Sequence, residues 1–245
     1  MPHYMPRADN SAGSEINGVP LVIYQSWQSH FVPSGMKENI LKTVANNPEF
    51  DYYLYSDADS RAFIKANYDS SVVRAFDSLR PGAYKSDLWR YCILYKLGGV
   101  YFDIKMVPLV SIKNIIEKHP TVFVQDIKNP ERISDCVWNG LMISPPKNEI
   151  FRHCIDEIVE NCEKHLYRRN NLDITGPCLL GRMIKKYSSA DFFTNNVLNL
   201  SGDYIYYHNI PFFLREYKGY RREQRIFQNN KHYTILYSNK EVYQV

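Results

Sequence analysis

The sequence lacks several features that would place the protein in a well-defined class. It has no internal repeat, no low-complexity linker and no apolar run near the roughly 18 residues that a membrane-spanning helix needs. It also lacks a marked charge of one sign, since the net charge is only +4 over 245 residues. A balance this weak does not by itself indicate a nucleic-acid partner.

Cysteine is scarce as well, with five residues and no CxxC pair. The odd number argues against both a disulfide framework and a zinc site, and it predicts reduced, buried thiols in a cytosolic-type environment. Residues 1–18 are polar and lack an apolar signal region, so we predict a flexible leader there. We expect a cytoplasmic protein of a bacterium or of a virus-infected host. A Golgi-lumen enzyme whose anchor has been removed is the alternative.

Residues 19–245 are expected to form a single domain, since 44% of the sequence is hydrophobic and no boundary divides it. Periodicity predicts strands that alternate with helices, and Gly98 is the expected stop of the best helix. The predicted strands are 19–27, 50–55, 99–103, 121–126, 136–144, 204–208 and 232–237, and the helices are 34–46, 56–68, 70–79, 82–97, 147–169 and 175–187.

This alternation predicts an α/β fold with a mainly parallel central sheet and helices on both faces. Ligands of such sheets bind beyond the carboxyl ends of the strands. Asp103, Asp126 and the loop after Tyr24 all follow predicted strands. We therefore expect them along one edge of the sheet.

The segment "KLGGVYFDIKMVPL" at 96–109 places Asp103 at the end of an apolar strand, with Lys105 two residues later. A carboxylate in this position can ligate Mg²⁺ or Mn²⁺, and the cation can neutralise a diphosphate. The alternative is a solvated aspartate that accepts hydrogen bonds from nearby backbone amides.

Polar residues elsewhere could complete such a site. Asp87 and Arg90 are three apart and share one helical face, where they can bind sugar hydroxyls or phosphate; an exposed ion pair is the alternative. Tyr24 or Trp27 can stack on a nucleobase, or can be core aromatics. Asn139 suits either a ligand contact or a turn. The segment "DITGP" at 173–177 either caps a helix or faces an anion.

Five of these segments occur in one order, namely "YQSW", "KSDLWRY", "GGVYFDIK", "WNG" and "TGP". In this order they resemble the sugar transferases with a DXD-containing sugar-binding region. This is glycosyltransferase family 32, which includes yeast mannosyltransferases and many bacterial and viral capsule enzymes. The sequence is also similar to the core of the large clostridial glucosylating toxins. The strongest match runs over 84–108 and becomes thin beyond residue 140.

The resemblance implies a GT-A fold, which is Rossmann-like, and transfer of a sugar from a nucleotide-sugar donor with UDP or GDP. It implies retention of the anomeric configuration and a divalent cation, usually Mn²⁺ with Mg²⁺ as the alternative. The acceptor would be a glycan, glycolipid or glycoprotein. By position, Asp87 and Arg90 would contact the donor sugar, and Asp103 would be the first acid of the DXD motif.

The family's nucleobase-contacting segment falls on Tyr24 and Trp27. Such folds often add a C-terminal histidine as a metal ligand, and His232 is our first candidate, with His208 second. Asn139 would add a further contact to the sugar.

The sequence departs from the family where the DXD motif is Asp-Ile-Lys, because a protonated Lys105 cannot ligate a metal. Asp103 and a histidine can hold the metal while Lys105 pairs with the diphosphate, which is the arrangement we favour. In the second option Lys105 replaces part of the cation's charge. In the third it marks a weak or inactive transferase.

Two other classes of function fit parts of the sequence. A haloacid-dehalogenase-type phosphatase also has a strand followed by an acid, but Lys105 would replace its general acid. A catalytically weak sugar- or nucleotide-binding module is the other class. The basic run at 214–225 suits a solvated face or an anionic membrane surface, and we expect no nucleic acid. The preceding 210–213 segment suits peripheral contact with a lipid-linked acceptor.

Overall fold

The computed structural model describes residues 1–11, 13–126, 136–188, 198–228 and 231–244. The strands are β1 (Tyr4–Met5), β2 (Glu15–Ile16), β3 (Val19–Pro20), β4 (Val22–Ser26), β5 (Asp51–Tyr55), β6 (Gly99–Phe102), β7 (Val107–Pro108), β8 (Val122–Gln125), β9 (Val137–Ser144), β10 (Leu198–Ser201), β11 (Tyr204–Tyr207) and β12 (Ile210–Leu214). The helices are α1 (Ser34–Asn46), α2 (Asp57–Asn67), α3 (Ser70–Ser78), α4 (Gly82–Leu97), α5 (Lys113–Ile116), α6 (Glu149–Glu163), α7 (Pro177–Tyr187), α8 (Tyr220–Phe227) and α9 (Tyr233–Ser238).

One sheet runs through the molecule in the order β1-β5-β4-β6-β9-β8-β10-β11-β12-β7. Among the strands that the structure describes, β5-β4-β6 and β8-β10 are parallel neighbours, and the other pairs are antiparallel. The α/β prediction is confirmed, but the sheet is mixed, so the prediction of a mainly parallel sheet is wrong. The physical reason is β9, which lies between β6 and β8 and runs antiparallel to both.

Helices cover both faces of this sheet, as predicted. One hydrophobic cluster joins the sheet to α2, α3, α4, α6 and α7, and a second joins it to α1 and α5. Strand side chains alternate between the two clusters, since Tyr24 and Tyr101 belong to the first while Ile23 and Val100 belong to the second. Both faces of the central strands are therefore buried.

Helix α4 is buried on nearly every side, and this explains its run of large apolar residues. Trp89, Tyr91 and Ile93 are fully buried. The helix ends at Gly98, as predicted, where φ is +67° and a Cβ would lie 2.6 Å from the backbone nitrogen of Pro146. Only glycine tolerates both conditions. The turn feeds directly into β6, so α4 and β6 are fixed relative to each other.

Three predictions of local structure differ from the structure, and the first is the helix over 147–169, which ends at Glu163. Residues 232–237, predicted as a strand, form helix α9, whose N-cap His232 accepts from the backbone N–H of Thr234. Short apolar runs do not distinguish the two periods, which explains the error. Within the predicted flexible leader at 1–18, β1 pairs with β5, and Arg7 forms an ion pair with Asp51. The structure thus docks part of this polar segment on the sheet edge.

The prediction of reduced thiols is wrong for two of the five cysteines. Cys136 and Cys178 form a disulfide between the residue before β9 and the first turn of α7, whereas Cys92, Cys154 and Cys162 are free and buried. Spacing along the sequence did not predict this pair, because its members are 42 positions apart and only the fold brings them together.

No helix in the described part of the chain is both long and apolar enough to cross a membrane.

Candidate functional site

Polar side chains meet at one edge of the sheet, beyond the carboxyl end of β6. Asp103 follows β6, and its backbone N–H donates to the carbonyl of Gly140 in β9 at 2.9 Å. Since β9 runs antiparallel to β6, its early residues reach the edge at which β6 ends. The prediction that Asp103 lies at the edge where parallel strands end is confirmed.

Asp87 of α4 lies at the centre of a buried polar cluster. Its Oδ1 accepts from Asn139 Nδ2 at 2.9 Å, and its Oδ2 accepts from the Thr175 hydroxyl at 2.8 Å. The next residue, Gly176, comes so close that a Cβ there would lie 3.3 Å from Oδ2. The strand β9, the helix α4 and the start of α7 are therefore joined through one carboxylate.

Arg90, one turn further along α4, links this cluster to Asp103. Its guanidinium lies 3.5 Å from the carboxylate of Asp87 and 3.4 Å from that of Asp103. It also donates to the Asn139 carbonyl at 2.9 Å and lies 4.4 Å from the centre of the Tyr101 ring. Because it is buried and bonded on several sides, Arg90 holds the two acids at a fixed separation.

Burial and charge act in opposite directions within this cluster. Burial raises the pKa of Asp87, although Arg90 and the hydrogen bonds from Thr175 and Asn139 oppose the shift. Burial by itself lowers the pKa of Arg90, but Tyr101 and the two acids outweigh it, so the pKa is raised. Arg90 therefore remains a cation at any physiological pH.

Lys105 lies beside Asp103 at the more open end of the site. Its Nζ is 3.4 Å from Asp103 Oδ2, while Asp103 Oδ1 accepts from the Tyr101 hydroxyl at 3.0 Å. About a fifth of each charged side chain is exposed, 21% for Lys105 and 22% for Asp103. A ligand at the edge therefore reaches this pair more easily than it reaches Asp87.

Tyr24 and Trp27 lie in the core, with 4% and 5% of their surface exposed. The Tyr24 ring stacks with the Tyr53 ring at 5.9 Å, and the Trp27 indole nitrogen is buried without a hydrogen-bond partner. In this conformation neither ring offers a free face to a nucleobase. Their contact with the donor base stays a prediction.

The contacts of His232 differ from those that a metal site at Asp103 would require. Its Nδ1 lies 3.1 Å from the Thr234 hydroxyl, and its ring lies against that of Tyr233. Among the described residues, no hydrogen bond or ion pair joins His232 to Asp103. A metal-ligand role for His232 stays a prediction.

Three residues of the site carried no assigned role in the sequence. The Ser86 hydroxyl accepts from Arg90 at 2.8 Å, Tyr101 contacts both Arg90 and Asp103, and Tyr220 lies 5.9 Å from Lys105 Nζ. Strand alternation places 101 and 103 on the same side, so Tyr101 could have been found from the sequence. No local signal indicates Tyr220, which the fold brings from more than 100 residues away.

The donor set around Asp103 does not fit a divalent cation held by protein ligands alone. Its carboxylate already faces Arg90, Lys105 and the Tyr101 hydroxyl, all of which compete with a metal. Within the described ranges, the one group of three metal-ligating side chains is His3, His30 and Asp59, which does not include Asp103. We therefore derive no chemical step through a metal at this position.

Comparison with known proteins matches this part of the chain to a family. Residues 33–122 match the model of the glycosyltransferase sugar-binding region containing DXD motif, and they include Asp87, Arg90, Asp103 and Lys105. The DXD motif of this family is typically associated with a divalent metal. Asn139 and Thr175 lie beyond the matched region.

Two yeast proteins are similar over a longer stretch. The chain is 26% identical over 170 residues to inositol phosphoceramide mannosyltransferase 2 of Schizosaccharomyces pombe, covering 69% of this chain and 47% of that protein. It is 24% identical over 204 residues to mannosyl phosphorylinositol ceramide synthase SUR1 of Saccharomyces cerevisiae, covering 80% and 50%. The chain thus spans about half the length of these relatives.

A solved structure supports the fold. The PaToxG glycosyltransferase superposes with a TM-score of 0.53 over 69% of each chain, at 12% sequence identity. The chain shares an α/β architecture with this toxin enzyme. By its matched region and by these relatives, the chain is similar to the glycosyltransferases whose sugar-binding region contains the DXD motif.

Proposed function

We propose that the protein transfers a hexose, with mannose as the first candidate, from a nucleotide-sugar donor to a hydroxyl of a glycan or glycolipid. The observation that supports this proposal is that Asp103, paired with Lys105, contacts the buried Asp87–Arg90 pair at the edge where β6 ends. Mannose is suggested by the names of the two yeast relatives. The GT-A fold and a single domain over 19–245 are parts of the same proposal.

The more exposed end of the site suits the diphosphate. Lys105 is a cation with an accessible head, and it can move from Asp103 to a phosphate oxygen once the donor binds. Asp103 would then orient Lys105 and would be free for one bond to a divalent cation that arrives with the diphosphate. A bound Mn²⁺ or Mg²⁺ would supply further charge neutralisation for the leaving group.

The buried end suits the sugar. Asp87 can accept from a sugar hydroxyl with its remaining lone pairs, and Arg90 and Asn139 fix the position of its carboxylate. Arg90 also lies close enough to Asp103 to contribute positive potential where charge develops on the departing diphosphate.

We infer that the acceptor hydroxyl attacks the anomeric carbon on the face from which the diphosphate departs, with retention of configuration. The C–O bond to the phosphate breaks as the new glycosidic bond forms. The departing phosphate oxygen takes the proton of the acceptor hydroxyl. This route needs no covalent nucleophile from the protein.

The test is transfer of labelled sugar by the Asp103→Ala variant, with nuclear magnetic resonance of the product to read the anomeric configuration. Since Asp103 is partly exposed, we expect a folded protein with transfer reduced by about a hundredfold or more. Asp156→Ala, which removes a half-exposed acid on α6, is the matched control and should keep full activity. Near-normal turnover by Asp103→Ala would contradict the proposed function.

A second candidate is a catalytically weak module that binds the donor without transferring its sugar. The observation in its favour is the lysine at the position of the second DXD acid, directly paired with Asp103. Donor binding without any transfer by the wild-type protein, over a panel of glycan and glycolipid acceptors, would favour this candidate.

A further inference from the structure

Exposed apolar side chains lie on two segments of the chain that a hydrogen bond joins. Phe31, in the loop after β4, is 89% exposed, and Ile226 and Phe227, at the end of α8, are 60% and 48% exposed. The side chain of Gln28 donates to the carbonyl of Phe227 at 2.8 Å and so joins the two segments. None of the three apolar side chains belongs to either hydrophobic cluster. Apolar groups collected in this way usually mark a binding surface.

Exposed cations share α8 and the residues just before it with Ile226 and Phe227. Arg221, Arg222 and Arg225 are exposed on the outer side of α8, and Lys218 is exposed just before the helix. Of these, Arg221 forms an ion pair with Glu216 at 2.8 Å. The outer side of α8 therefore presents arginine together with isoleucine.

The acid of α8 faces the protein instead of the solvent. Glu223 accepts from the backbone N–H groups of Gly35 and Met36 at 2.8 and 3.2 Å, and from the Tyr217 hydroxyl at 2.6 Å. It caps α1, which has no side-chain cap of its own. This contact fixes the orientation of α8, so its basic and apolar side chains are held outward.

The same helix begins at the candidate active site. The backbone N–H of Tyr217 donates to the carbonyl of Lys105 at 2.8 Å, and the Tyr220 ring lies 5.9 Å from Lys105 Nζ. A large binding partner that contacts α8 therefore lies within one helix length of Asp103 and Lys105.

We propose that Phe31, Lys218 and the outer residues of 221–227, together called the basic–apolar surface, bind the face of a bilayer that contains anionic lipid. The arginines are attracted to the negative headgroups, while the isoleucine and the two phenylalanines enter the boundary between headgroups and acyl chains. A nucleic acid also attracts arginine and can stack on the two phenylalanines, but the most exposed apolar side chain of α8 is the aliphatic Ile226, which gives no stacking platform. The combination therefore favours a lipid surface.

Sedimentation with vesicles tests the proposal without any sugar donor. We expect the wild-type protein to bind phosphatidylcholine vesicles weakly and vesicles with added phosphatidylserine strongly, with binding that falls as salt rises. The double variant R222E/R225E should bind the anionic vesicles at least about tenfold more weakly. Its matched control is K65E/K96E, which makes the same charge change at exposed lysines of α2 and α4.

The apolar contribution is tested by I226S/F227S, which should weaken binding to anionic vesicles at unchanged charge. Leu97→Ser, at a site 40% exposed at the end of α4, is its control. Absence of binding by the wild-type protein, or equal loss in variants and controls, would overturn the proposal. Binding to a single-stranded oligonucleotide but not to vesicles would also overturn it. Because no transfer is measured, a negative result leaves the proposed function standing.

Discussion

At the scale of single residues, the site depends on how a buried carboxylate is compensated. Asp87 receives two hydrogen bonds and lies beside Arg90, so its charge is offset on three sides. Removing one member of such a cluster leaves the remaining polar groups buried without a partner. The resulting loss of stability is larger than the net stability that the interaction contributes. The substitutions below use this asymmetry.

Asp87→Ala should lower the free energy of unfolding by about 3–5 kcal/mol, because Arg90 would remain buried with less compensating charge. Unfolding in urea measures the change. The control Asp156→Ala breaks an exposed i,i+4 pair and should cost no more than about 0.5 kcal/mol. If both variants lose the same small amount, the buried cluster does not stabilise the fold as described.

Lys105→Ala should abolish the part of nucleotide binding that does not need a metal. At a hundred times its dissociation constant, a nucleoside diphosphate adds about 2.7 kcal/mol of stability, which raises the melting temperature of a domain this size by several degrees. We expect this shift to survive EDTA in the wild-type protein and in the control Lys96→Ala, but to vanish in Lys105→Ala. A wild-type shift that disappears in EDTA would contradict this role for Lys105.

The sequence predicted the site residues whose positions follow from local spacing. It missed those that only the fold brings into the site. Asp87 and Arg90 share a helix face, and Asp103 ends a strand, so both positions follow from periodicity. The Thr175 hydroxyl reaches Asp87 across 88 residues of sequence. No pattern within a window of ten residues contains that contact, and for the segment with Thr175 we predicted only a helix cap or an anion contact.

At the scale of elements, the site depends on three that are tied together: α4, β9 and α7. Asn139 lies three residues after Cys136, and Thr175 lies three residues before Cys178. The disulfide therefore joins the two segments that donate to Asp87. Periodicity could not predict the direction of β9, because an apolar run looks the same in a parallel and in an antiparallel strand.

Reducing this disulfide should destabilise the protein by about 4 kcal/mol in the chain-entropy view, given the length of the loop that it closes. Urea unfolding with and without reductant measures the effect in the wild-type protein. The C136S/C178S double variant provides the control, because reductant should no longer change its stability. A wild-type midpoint that reductant does not move would contradict the disulfide's contribution.

At the scale of the whole molecule, a mixed sheet with a hydrophobic cluster on each face holds the site at one edge. Composition and alternation were sufficient to predict the α/β class, because they report only how much apolar surface each element buries. The packing of the first residues was not predicted. Their polar composition gives no sign that β5 leaves an open edge for β1 to fill.

Deleting residues 1–8 should therefore lower the stability of the domain. The deletion removes the pairing of β1 with β5 and the bonds from Arg7 and Ala8 to Asp51 and Pro48, which net about 0.5–1.5 kcal/mol for each hydrogen bond. We expect a total loss of about 1–3 kcal/mol, measured by urea unfolding of the full and shortened chains. Identical midpoints would instead indicate the flexible leader that composition predicts.

The bond between Cys136 and Cys178 closes a covalent ring that contains β9, the whole of α6 and the exposed turn after it. Lys164, in that turn, is exposed, and trypsin cleaves after lysine. A cut after Lys164 opens the backbone but leaves both pieces on one molecule, so they migrate together on a denaturing gel. Only a reductant separates them. A nick at this turn therefore leaves the segments that carry Asn139 and Thr175 covalently joined.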